Sequence, residues 1–95
     1  LYNKMKQDEA NNIVIETISK ILKNKVQVTK EMQLIGGKSL LDSMKLVEVC
    51  VTLEDIAENH GFEFDWTSAT TMSRTRSMFR NVNALAKEFA KQSEV

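Results

Sequence analysis

The chain has 95 residues, 42% hydrophobic and 27% charged, the proportions of one small globular domain. Its single cysteine and single histidine exclude an internal disulfide and a closed zinc set made of nitrogen and sulfur ligands. Thirteen bases balance thirteen acids, so no overall charge recruits nucleic acid or an acidic surface.

The balance is uneven along the chain. Residues 1–30 sum to +3, residues 31–65 to −6 and residues 66–95 to +3. A partner docking on the middle block meets a negative surface, which favours basic partners and disfavours nucleic acid there, although the basic flanks alone do not exclude it. No apolar run approaches the ~18 residues of a membrane span and no signal-peptide pattern opens the chain, so a cytoplasmic protein without membrane insertion is expected. The first residue is Leu1 rather than Met, as in a trimmed or renumbered chain. Proline, repeats and low-complexity linkers are all absent, so residues 1–95 are expected to form a single domain.

In chain order, the first predicted helix spans Met5 to Leu22. Ile13, Val14, Ile18, Ile21 and Leu22 recur at three- and four-residue spacing, opposite Asn12, Glu16, Lys20 and Lys23, with Ile15 at the border. Val26-Gln27-Val28 has strand-like composition, but the Thr29-Lys30-Glu31 that follows points to a loop. Leu34 to Ser39 is a loop with two glycines, Gly36 and Gly37. Asp42 or Ser43 suits the N-cap of a second helix running to about Asn59-His60, with Gly61 at the position that ends it. Phe62 to Trp66 alternates apolar and polar residues, the pattern of an extended segment anchoring aromatics in the core. Thr67 to Thr71 reads as loop, and a short helix is predicted around Met72 to Phe79. Asn81 can cap a last helix whose Val82, Leu85, Ala86, Phe89 and Ala90 form one stripe. The expected fold is all-α: a small antiparallel four-helix bundle with three longer helices and one short third helix.

The helix after Ser43 carries two apolar faces. At about 100° per residue, Leu46, Val49, Cys50, Leu53, Ile56 and Ala57 share the core side. The opposite side holds Met44, Glu48, Val51, Asp55 and Glu58, with Val47 and Glu54 at its border. Met44, Val47 and Val51 thus make a second, narrower stripe among acids. Apolar residues rimmed by charge point to a docking surface; the competing reading is that the first or third helix packs partly over this stripe.

The stretch Leu40-Leu41-Asp42-Ser43-Met44-Lys45-Leu46-Val47-Glu48-Val49 resembles the signature of the acyl carrier protein family, where Asp-Ser-Leu followed by a Val-Glu pair is usual. Leu53-Glu54-Asp55 is similar to the acidic end of the family's second helix, Gly61 to Phe64 to the loop after it, and Val82 to Phe89 to its last helix. The likeness covers roughly residues 13–90. It implies a non-catalytic carrier in which a phosphopantetheinyl transferase attaches 4′-phosphopantetheine from coenzyme A to Ser43, with Asp42 beside it. Acyl-loading and acyl-processing enzymes would then act on a thioester borne by that arm. By matched position, Met44, Val47, Glu48, Val51, Glu54 and Asp55 are the expected partner contacts. A monomer is expected of a carrier that must visit several enzymes. The sister expectation on the same fold is an aminoacyl or peptidyl carrier. The rival from another class is an unmodified helical adaptor binding through Met44, Val47 and Val51.

Several features depart from the family pattern. The chain is neutral where many fatty-acid carriers are strongly acidic, Lys45 stands just inside the helix, and Arg74 and Arg76 occupy positions where acids are common. These departures point to a specialised bacterial-type carrier serving a dedicated pathway. Cys50, on the core face with no histidine near in sequence, reads as a small buried residue. His60 reads as a charge-favoured residue at a helix end. Phe62, Phe64 and Trp66 read as core filler in preference to pocket lining. Arg74, Arg76 and Arg80 read as a solvated face.

Overall fold

The computed structural model of the chain describes residues 5–35, 41–66 and 78–93. Within them the chain forms three helices and no strand: α1, Gln7–Ile21; α2, Ser43–Asn59; and α3, Val82–Gln92. The all-α class is as expected. The short helix expected around Met72 to Phe79 lies largely outside the described residues, as do the glycines of the 34–39 loop and the Thr67–Thr71 segment. Met78 and Phe79 are described, and both are buried.

α1 packs against both α2 and α3. The Met5 backbone N–H donates to Ser93 Oγ at 3.2 Å, while the Gln7 amide reaches Asn83 at 3.5 Å. The start of α1 therefore lies across the length of α3. The expected apolar stripe of α1 faces the core, and this central position widens its buried side. Val14 and Ile18 are fully buried as expected, but their buried companions are Ala10, Asn11 and Thr17. Ile13, Ile15, Ile21 and Leu22 are only partly buried against the core. A helix wedged between two others buries a wide side, and close approach favours small residues over large ones. Asn11 is tolerable there because its Oδ1 accepts from Gln7 Nε2 at 3.0 Å.

The ends of α1 and α2 use the same device with different residues. In α2, the Phe62 N–H bonds the Ala57 carbonyl at 3.0 Å and the Gly61 N–H bonds that of Glu58 at 3.1 Å, with Gly61 at φ 85°. This is a Schellman closure, completed by burial of both Phe62 and Ala57. In α1, Asn24 and Lys23 make the equivalent bonds to Ser19 and Lys20, with Lys23 at φ 57°. The sequence signal for a helix end was thus clear at Gly61 and hidden at Lys23.

α3 delivers the expected stripe: Val82, Leu85, Ala86, Phe89 and Ala90 are all buried. Its first four N–H groups are fully served. Val82 donates to the Met32 carbonyl and Asn83 to that of Lys30, at 3.0 and 2.9 Å. Ala84 donates to Asn81 Oδ1 at 2.8 Å, and Leu85 to the Asn81 carbonyl at 3.1 Å. The 30–32 loop is thereby tied to α3, and Val26 to Val28 runs as loop, not strand.

Phe89 is the hub on which the segment after α2 closes. Phe62 and Phe64 meet its ring edge-on, each with centroids 5.1 Å apart. The Gln92 amide pairs with both backbone groups of Asp65, accepting from its N–H at 2.6 Å and donating to its carbonyl at 2.8 Å. As expected, these aromatics fill the core from an extended segment.

Candidate functional site

The start of α2 is built by the residues around Asp42. Leu41, just before the cap, is buried, and Leu46 four residues into the helix packs against the core. Those are the two positions of a hydrophobic staple, which sets the angle at which the chain enters a helix. Asp42 then caps α2: Oδ1 accepts from the Lys45 N–H at 2.8 Å, and its carbonyl accepts from Leu46 at 3.0 Å. The capping role left open between the two members of the Asp-Ser pair therefore falls to Asp42, and Ser43 is the first helical residue. Apart from that cap, the first turn of α2 carries no acidic residue. A helix start of this kind favours an added anion, because backbone N–H groups and the helix dipole both present positive charge there.

From that start the two faces of α2 separate as the helical spacing requires. Val49, Cys50, Leu53 and Ala57 are buried; Leu46 and Ile56, expected in the core, are partly buried at its edge. On the other face Met44 is 77% exposed, Val47 47% and Val51 46%. Glu48, Asp55 and Glu58 beside them are exposed as well. Among the described residues no helix covers the stripe, α1 included; the short third helix of the competing reading lies largely outside them. Thr52 turns its hydroxyl back to the Glu48 carbonyl at 2.8 Å, a bond that keeps this polar group local to the helix.

The six expected partner contacts are therefore brought onto one helix, but one of them has a further tie. The Trp66 indole Nε1–H donates to a Glu54 carboxylate oxygen. Sequence spacing carried no signal for this contact, since the two residues lie on different elements joined through the Schellman turn. Glu54, Asp55, Glu58 and Glu63 line an open cleft of about 350 Å³ with Phe62 and Phe64.

Cys50 is inert. Burial, and secondarily the Glu54 carboxylate one turn on, pushes its thiol up to about 12 from an ordinary 9.0. His60 is exposed at the C-cap of α2, as expected of a helix-end residue. Arg80 is exposed; Arg74 and Arg76 lie outside the described residues. Among the described residues no helix is long and apolar enough to cross a membrane. No protein-family model matches the chain, and neither the curated proteins nor the solved structures hold a match to it.

Proposed function

We propose that this chain is a phosphopantetheine-dependent acyl carrier protein, modified at Ser43 and presenting a thioester-bound group to partner enzymes. The observation that carries the reading is the build of α2: an Asp-capped start with Ser43 as its first helical residue, continuing into an exposed Met44, Val47 and Val51 stripe edged by acids. In this reading the fold is completed as an antiparallel four-helix bundle by a short helix near Met72 to Phe79, and residues 1–95 form one monomeric cytoplasmic domain. The partners are a phosphopantetheinyl transferase and acyl-loading and acyl-processing enzymes, not nucleic acid.

The chain's own contribution is presentation. In transfer, the Ser43 hydroxyl oxygen bonds to the pantetheine-side phosphorus of coenzyme A, the bond to the adenosine bisphosphate breaks, and the transferase takes the hydroxyl proton. The arm supplies a terminal thiol on which acyl groups form thioesters. The start of α2 suits the resulting phosphodiester: its first turn is free of carboxylates beyond the cap, and Lys45 adds a positive charge two residues on. The protein needs no nucleophile of its own for the later chemistry, which belongs to its partners.

The test is incubation with coenzyme A and a broad-specificity transferase, followed by trypsin digestion. Fragmentation is expected to put the added group on Ser43 and not on Ser39 of the same peptide. An unmodified peptide from folded protein would sink the reading. Charge reversal of Glu48 or Asp55 to Lys should weaken loading at low salt without unfolding the chain. Equal loading at low and high salt would show that the docking face is misplaced.

The exposed stripe also favours a second reading, an unmodified adaptor. It requires that Ser43→Ala leave partner binding intact while Val51→Glu abolishes it.

A further inference from the structure

Trp66 and Glu54 meet where the aromatic segment after α2 comes back to the helix it left. That segment is firmly seated: Phe62 and Phe64 pack on Phe89, and Gln92 holds both backbone groups of Asp65, the residue before Trp66. The indole is half-buried against the core and has little freedom to leave. Its acceptor is in the opposite situation. Glu54 is exposed, at the edge of the outer face of α2, three residues beyond Val51 and seven beyond Val47. Among the described residues, Glu48, Asp55 and Glu58 have no such side-chain donor fixing them.

We propose that Trp66 is a positioning residue for the docking face of α2, holding the Glu54 carboxylate in one orientation so that a partner's cation meets a pre-set acceptor. This rests on the docking face of the proposed carrier. A carboxylate offers about four acceptor positions, and the indole uses one, leaving the rest for a guanidinium or ammonium group. A free glutamate loses rotamer freedom when a partner docks; here the indole bond restricts part of that freedom beforehand.

The test is a double-mutant cycle on phosphopantetheine loading, with coenzyme A and a broad-specificity transferase as the probe. Trp66→Phe keeps a ring in the core and removes the donor; Glu54→Ala removes the acceptor from an exposed helical site. Trp66→Phe should raise the KM for this chain roughly threefold to tenfold at low salt with kcat unchanged. In the Glu54→Ala background it should add nothing. Circular dichroism of each variant should match the parent. Because the chain has a single tryptophan, Glu54→Ala should also shift the emission maximum of the isolated protein. Additive effects, an unchanged KM in Trp66→Phe, or emission indifferent to Glu54→Ala would overturn the positioning role and leave the carrier reading standing. A folded parent chain that accepts no phosphopantetheine would overturn the docking face and this role with it.

Discussion

α2 and α3 start in the same way and end up doing different work. Each is capped by an Asx side chain three residues ahead of the N–H it serves, at 2.8 Å in both. Around Asn81 the remaining N–H groups are taken by the Lys30 and Met32 carbonyls, so the start of α3 is sealed by protein. Among the described residues no loop carbonyl does this for α2, whose cap is exposed. The contrast continues along each helix: the large apolar residues of α3 are all turned inward, whereas α2 leaves three in water. Cap chemistry alone thus does not separate a helix start tied to a loop from one whose cap is exposed. What covers the cap, and what the outer face carries, does.

The largest effect expected from this contrast is in the cores of the two helices. Phe89→Ala should cost about 3–5 kcal/mol in urea unfolding, since it empties the contact shared by Phe62 and Phe64. Val51→Ala on the outer face of α2 should stay within about 0.5 kcal/mol of the parent. A Val51→Ala loss of ~2 kcal/mol would mean that the stripe is covered after all.

The caps come next. Asn81→Ala should cost about 1–2 kcal/mol, and Asp42→Ala about 0.5–1 kcal/mol, because water can serve the N–H groups left behind at the exposed site. For a domain of this size, each 1 kcal/mol corresponds to a melting shift of ~4–8 °C, so thermal unfolding resolves the difference. Equal losses would erase the distinction between a sealed and an open start.

The smallest effect at neutral pH distinguishes the two faces of α2 itself. The Cys50 thiol is held protonated by burial up to about 12, while the unfolded thiol ionises near its ordinary 9.0. Above that lower value the unfolded state binds fewer protons than the folded state, so stability falls as pH rises between the two. The slope is at most about 1.4 kcal/mol per pH unit. Cys50→Ala should flatten the alkaline part of the stability curve; an unchanged curve would place the thiol at the surface.

Much of this was readable from periodicity and caps. The span of α2, its stop at Gly61, the Asn81 cap and the five-residue stripe of α3 all follow from local rules that the structure obeys. The stripe of α1 is legible, but not the full width of its buried side, because Ala10, Asn11 and Thr17 carry little hydrophobic signal; they are buried by position between two helices. The αL end at Lys23 lacked the glycine that marks such turns. At the candidate site, the outer face of α2 was legible because it depends on one helix's periodicity. The Trp66–Glu54 contact and the 30–32 seal on α3 were not, since each joins elements whose relative placement no local pattern encodes.

The central proposal, that Ser43 at the Asp42-capped start of α2 is an attachment site, is tested most directly by intact mass. The parent chain and Ser43→Ala are incubated side by side with coenzyme A and a broad-specificity transferase, with matched melting curves confirming that both are folded. The account predicts a gain of one phosphopantetheine in the parent and none in Ser43→Ala. Equal masses before and after in the parent, or the same gain in Ser43→Ala, would contradict it.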